Sequence, residues 1–426
     1  MKAVELILAR ASGSRSVAPG DVVIAHVDRT VMHDQSAFMS SRVFEEEVGG
    51  PVRYPERVWV VFDHNFAPAT LKQAEVIEHN RDWARRHGIN LADSGAGQVH
   101  NVLARLGGLR PGHVVVGSDS HTSVHGAIGA FATGVGNNSI AGSVLRYGKA
   151  WFRVPETILV RLTGRTPLGT TPRDVALWLA GRIGEGAARY KAIEFEGDYL
   201  SRLGYWDRWL FPLIGVDIGA KSCFIRPDDV TRARLEETGQ PFLDADDPLL
   251  IPLPESEYDT VWTYDVSGIA PQVACPPTVG NVHPVDEVAG TPIQWAEVGG
   301  HGGGRLEDIR LLDAVLRRHP KHPDVRVNVV PNSRETFQRA LDEGLVDSLF
   351  RAGATWFPPS TGSNQAVNMG AMTENEAMIS THSRNFPGRN GSPKAAMYLS
   401  SALSVAASAT TGAITDPRSL DLAEIL

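Results

Sequence analysis

Apolar runs of strand length alternate with stretches of helical period along the whole chain, and glycines and prolines cluster between them. A chain built this way folds into α/β layers, because each sheet and each helix has an apolar face to bury against the other. Strands are expected at Asp21 to His26, Arg57 to Phe62, His113 to Gly117, Thr157 to Leu162, Val325 to Val330 and Glu376 to Ser380. Helices are expected at Thr70 to His87, Thr171 to Arg182, Leu306 to Arg317 and Arg334 to Glu343, where apolar residues return every three or four positions. No short-period repeat appears. Composition shifts after the strand ending near Leu162 and through the proline-rich, acidic segment Asp244 to Glu257, and both read as domain seams. Ser400 to Thr411, dense in serine and alanine, reads equally as a tightly packed helix or as a loop.

With 426 residues and 42% hydrophobic content, the chain can fill two or three cores. Its net charge of −8 is spread among interspersed acids and bases, so no basic stripe offers itself to nucleic acid. A small anionic substrate remains compatible, since a local arginine pocket overcomes a mildly negative surface. The opening MKAVELILARASG has no long apolar core with a cleavage site, and no run approaches the roughly 20 apolar residues of a membrane span, so a cytoplasmic, membrane-free chain is expected. The cysteines, Cys223 and Cys275, stand far apart without a CxxC arrangement; they suit neither a disulfide framework nor a multi-cysteine metal site and read as small buried apolar residues.

Chemistry gathers at the ends of the expected strands. GSDSHTSVHGAIGAFATGVG, from Gly117 to Gly136, places Asp119, Ser120 and His121 after an apolar strand and before what reads as a Gly/Ala-rich helix. Polar residues at the carboxyl end of a parallel strand face the crevice where ligands bind, although Asp119 would also serve as a helix cap. Asp63 and His64 follow another apolar strand in VWVVFDHNFAP, and a carboxylate beside an imidazole orients it and sets its protonation for acid–base work. His100, in GAGQVHNVLA, opens a further helical run.

The segments DSHT with its following glycines, VFDHN, GKAWFRVPETI, KAIEFEG, GGGRLEDIR and SRNFPGRNG resemble their counterparts in the aconitase and isopropylmalate dehydratase large-subunit family, and they run across nearly the whole chain. The resemblance implies an aconitase-like α/β fold of three α/β/α domains around a central cleft, here 1–155, 156–262 and 263–426. It also implies that His100 and Asp119 form one histidine–carboxylate pair, and that His121 and Glu194 form a second that holds a substrate hydroxyl or water. By the same resemblance Asp63 and His64 protonate the departing hydroxyl, and Arg384 and Arg389 grip a substrate carboxylate, with His33, Ser120 and Ser383 beside them. A guanidinium is always charged and can bind a carboxylate through two parallel hydrogen bonds, which suits that role.

The same comparison exposes departures. The family's [4Fe–4S] cluster hangs on three cysteines, one iron staying open to act on the substrate. The segment resembling the first ligand's surroundings reads VGGHGGGR, with His301 at the cysteine position, and the CxxC segment reads FPPSTG, with Phe357 and Ser360 at the ligand positions. Phe has no donor and a Ser hydroxyl is a poor one, so no cluster and no cofactor is expected. Cys275, in PQVACPP, falls where the family has no ligand, His33 replaces a common glutamine or other polar residue, and Phe211 to Gly215 lacks the usual Cys-Asn pair. No C-terminal swivel domain follows Leu426, so the serine base and the further arginine it carries are expected from a separate small subunit.

The leading expectation is a lyase or isomerase that adds, removes or moves water on a small carboxylate-bearing acid by His/Asp acid–base catalysis. A variant gathers His301 with His64, His121, His100 or a carboxylate around a single divalent ion. A third reading is a ligand-binding or regulatory subunit that keeps the fold without the catalysis.

Overall fold

The computed structural model describes residues 1–425. Five parallel strands form the first sheet: β1 (Arg29–His33), β2 (Val58–Val61), β3 (Asn90–Ala92), β4 (Val114–Gly117) and β5 (Phe131–Gly134), in the spatial order β3-β2-β1-β4-β5. All four residues of β4 are buried, as befits a parallel strand whose sheet is covered on both faces. A separate antiparallel ribbon pairs Val22–His26 with Lys149–Arg153.

The second sheet is also parallel, with β6 (Thr157–Thr163), β7 (Ala192–Glu196), β8 (Ser222–Ile225) and β9 (Thr260–Asp265) in the order β8-β7-β6-β9. The composition shift after the strand ending near Leu162 falls between β6 and β7, neighbouring strands of this one sheet. A boundary at 262 falls inside β9, and Asp244 to Glu257 is a connector leading into that strand.

The third sheet has seven strands: β10 (Gln272–Ala274), β11 (Val282–Pro284), β12 (Trp295–Val298), β13 (Arg326–Val329), β14 (Ala354–Trp356), β15 (Ala377–Ser380) and β16 (Ala396–Leu399). Their order is β11-β10-β16-β15-β12-β13-β14, antiparallel only where β10 meets its two neighbours.

Local chemistry sets the helices. Among those around the site are α1 (Asp34–Val43), α2 (Leu71–His87), α3 (Val99–Leu106), α4 (Pro172–Ile183), α5 (Leu306–Leu316) and α6 (Ala402–Thr411). The start of α2 is a capping box, in which Thr70 accepts from the Gln73 amide while the Gln73 side chain accepts from the Thr70 amide; Gly88 closes it in the left-handed conformation. Pro172 opens α4, where its missing N–H costs nothing. The serine- and alanine-rich segment proves to be helix α6, buried against α5 and β12. Residues 120–136 are not one helix: Ser120–Ile128 winds as a 3-10 run and the chain then enters β5. Gly126 lies so close to the Cys223 carbonyl in β8 that any side chain there would overlap it, so the run packs directly on that strand. Among the described residues, no helix is long and apolar enough to cross a membrane.

Candidate active site

Strand order decides where the site lies. In the first sheet the chain runs β1-β2-β3 to one side and β4-β5 to the other, so a crevice opens beyond the ends of β1 and β4. The third sheet repeats the device, with β12-β13-β14 running one way and β15-β16 the other. Residues at or just past the ends of β1, β2 and β4 (His33, Asp34, Asp63, His64, Asp119, Ser120, His121) face residues just past β12 and β15 (His301, Arg384), with Ser383 next to the latter in the chain. The two sheets are pinned across this crevice, where Thr361 donates from its amide (3.2 Å) and hydroxyl (2.8 Å) to the Asp63 carbonyl.

Imidazoles line the crevice around His301. Its ring stacks on that of His121 at 5.3 Å between centroids and lies 5.8 Å from both His64 and His100; the His33 ring lies 4.3 Å from His64. His301 is reached by a loop whose glycines are required: Gly300 has φ +77°, and a Cβ there would stand 2.8 Å from the His382 ring. Burial drives the pKa of His301 well below its ordinary value, so the ring is neutral at working pH.

Two carboxylates organise the histidines. His64 Nδ1 lies 2.8 Å from Asp63 Oδ1, while the other Asp63 oxygen accepts from the Val99 amide. Burial opposes charge on His64, but Asp63, with Asp34 behind it, outweighs that and holds the pKa up at about 9. Asp119 accepts from the His121 amide at 2.7 Å, capping the 3-10 run, and its Oδ1 also lies 3.0 Å from His100 Nε2 and 3.4 Å from His121 Nδ1. Burial would raise the Asp119 pKa, yet hydrogen bonds from His100 and His121 hold it well below the usual carboxylate range.

The remaining expected residues fall in different places. Glu194, in mid-strand on β7, is not paired with His121; Arg226 takes its carboxylate, with Tyr258 beside it. That expected pair is therefore corrected: an arginine one strand away outcompetes an imidazole that already has Asp119. Arg384 donates from Nε to Asp217 at 3.2 Å, and Arg389 is buried and donates to Asn364 Oδ1. Ser383 Oγ, His33 Nδ1, His121 Nε2 and His301 Nε2 are buried without a hydrogen-bond partner, which leaves them free for a bound oxygen or nitrogen.

Sequence reasoning missed Asp34, Asn364 and Asn368. Asp34 Oδ2 accepts from the amides of Asp63, His64 and Asn65 at 2.9–3.0 Å, and so fixes the turn that carries the dyad. Asn368 donates to the His64 carbonyl. The one sequence signal for Asp34 was an acid directly after an apolar strand; the asparagines, some 300 positions from His64, gave none.

Donor chemistry for a metal group can be read off the same residues. His100, Asp119 and His301 each bring a donor atom within 4.8 Å of the others, but His100 and Asp119 spend theirs on each other. Asp34, Asp63 and His64 also come within 4.8 Å, and their oxygens are taken by backbone amides and by the dyad itself. Cys223 and Cys275 lie in two different hydrophobic cores, Phe357 offers no donor, and the Ser360 hydroxyl bonds within its own loop to the Pro358 carbonyl and the Gly362 amide. These side chains do not fit a cluster held on three thiolates.

The profile of the aconitase family (aconitate hydratase) matches residues 7–412. The 3-isopropylmalate dehydratase large subunit 1 of Methanopyrus kandleri is 39% identical over 97% of this chain and 98% of its own length. The "Probable methanogen homoaconitase large subunit" of Methanothermobacter thermautotrophicus is 39% identical over 98% of each, and the 3-isopropylmalate dehydratase large subunit of Aquifex aeolicus 36% over 100% and 99%. These matches correct the expectation of no cofactor, or at most a single divalent ion, because large subunits of this kind typically bind a [4Fe–4S] cluster. The side chains present here depart from that habit. With the fold, the paired motifs and near-complete matches in agreement, the chain belongs to the aconitase family of hydro-lyases.

Proposed function

We propose that the protein removes, adds or moves water on a small acid bearing carboxylates, most simply a substituted malate. One observation carries this reading: Asn364 touches both His64 and Arg389, so a proton carrier and an anion-gripping guanidinium share one crevice. Arg389 and Arg384, with Ser383, hold the carboxylates; His64, steadied at Nδ1 by Asp63, passes a proton from Nε2 to the departing hydroxyl. His100 and His121, oriented by Asp119, hold the hydroxyl or water, with His33 and Ser120 completing the wall. Glu194, engaged by Arg226, stays outside the reacting set. The names of the relatives, all large subunits, support a small subunit of the swivel-domain type that covers the crevice and brings the base for the carbon-bound proton.

The test is turnover of 3-isopropylmalate and other substituted malates by the chain co-expressed with the small subunit from its own genome. His64→Ala is expected to lower kcat/KM by at least about 100-fold, the lower end for loss of a general acid. Unchanged turnover in that variant, or none of any substituted malate by the assembled wild type, overturns the reading.

A further inference from the structure

Glu297 is the third residue of β12, between β13 and β15, and it is wholly buried. Its partners come from three other segments. The Ser363 amide and hydroxyl donate to Oε1 at 3.1 and 3.0 Å, His382 Nε2 donates to the same oxygen at 2.7 Å, and Asn328, its register partner on β13, donates to Oε2 at 3.1 Å. The Ser363 hydroxyl, its proton spent on Glu297, accepts in turn from Asn390 at 2.9 Å. Burial would raise the Glu297 pKa, but His382, the Ser363 amide and Asn328 hold it below the usual carboxylate range, so the group is a carboxylate at working pH.

The places these partners hold in the chain give the cluster its consequence. Ser363 immediately precedes Asn364, and His382 immediately precedes Ser383 and Arg384. The His382 ring also bears on Gly300, which immediately precedes His301. Gly362 is pressed on the same carboxylate, since a Cβ there would stand 2.6 Å from Glu297 Oε1. Three turns that deliver side chains from the third sheet to the crevice are thus tied, one residue before the first one delivered, to a single carboxylate or to the ring it holds.

We infer that Glu297 is a positioning residue: it fixes the loops after β12, β14 and β15 relative to one another, so that His301, Asn364 and the Ser383–Arg384 pair keep their places around a bound acid. This rests on the carboxylate-holding reading of Ser383 and Arg384 given above. Glu297 itself stays behind the loops and acts only through Ser363 and His382.

The test compares Glu297→Gln, Glu297→Met, Ser363→Ala and the double variant Glu297→Met/Ser363→Ala, each with the small subunit and at a temperature where near-UV circular dichroism shows native packing. A displacement near 1 Å costs about 100-fold, so Glu297→Met is expected to lose about that much in kcat/KM, with KM raised, and Glu297→Gln, which keeps one acceptor oxygen, about tenfold. The double variant is expected to be no worse than Glu297→Met alone, because both changes cut one contact. Amide hydrogen exchange is expected to quicken together at 299–304, 361–364 and 381–385 in Glu297→Met, and at 361–364 alone in Ser363→Ala. Turnover within about threefold of the wild type in folded Glu297→Gln and Glu297→Met, losses that multiply in the double variant, or quicker exchange confined to one loop in Glu297→Met overturns the role of Glu297 and leaves the proposed reaction standing. No turnover of any substituted malate by the wild-type assembly overturns the reaction, and exchange at the three loops then decides by itself whether Glu297 ties them.

Discussion

Burial, helped by the neighbouring His64 ring, pushes the pKa of His33 down to about 4, whereas the same residue in an unfolded chain titrates near 6.5. Below about 6.5 the unfolded chain therefore binds a proton that the folded one refuses, and His33 subtracts stability progressively as the pH falls to about 4, where its folded form charges as well. Asp174 acts in the opposite sense, since burial raises its carboxyl to about 6. The readout is accordingly a difference: the urea midpoint of His33→Gln is expected to fall less steeply than that of the wild type between these two pH values. At this scale the sequence exposed the groups proposed to act, because Asp63 next to His64, and Asp119 two positions from His121, announce themselves by adjacency. It hid those that hold them, since Asp34 and Asn364 work across folded distances on backbone amides and ring nitrogens that no spacing encodes.

Elements place these side chains through their ends and connecting turns. The loop from Gly299 to Gly304 presents His301 only because its backbone enters regions closed to other residues and presses against the segment after β15. Gly300→Ala forces a left-handed conformation on a residue with a Cβ and drives that carbon into the His382 ring; a loss of about 1–2 kcal/mol from the backbone term alone is expected, visible as a lower urea midpoint. Because His301 sits next in the chain, turnover is expected to fall further than stability does. The six strands and four helices anticipated by their bounds exist, within a residue or two at each end, and two other stretches came out differently or had been left open. Those two are instructive: the Gly/Ala-rich stretch after Ser120 is a 3-10 run packed on β8 and then a strand, and the small residues of α6, open between helix and loop in the sequence, form a helix enclosed by α5 and β12. Composition carries no record of which neighbour will arrive.

For the whole molecule, a crevice walled by two sheets and lined with unpartnered polar atoms calls for a cover. Association with the proposed swivel-type small subunit is expected to raise turnover of a substituted malate at least tenfold over the lone chain, measured by titrating one purified protein into the other; equal turnover alone and in mixture counts against a subunit partner. The sequence by itself determined the α/β class, the order of elements and the neighbouring pairs Asp63–His64 and Asp119–His121, because periodicity, punctuation and adjacency are local properties written into consecutive positions. Tertiary structure alone decided that the switch points of the first and third sheets face each other, that Glu194 belongs to Arg226 rather than His121, and that Asn364 joins Arg389 to His64. Each of these is a competition among partners brought together from distant parts of the chain, and its outcome depends on distances and burial that exist only once the sheets have packed.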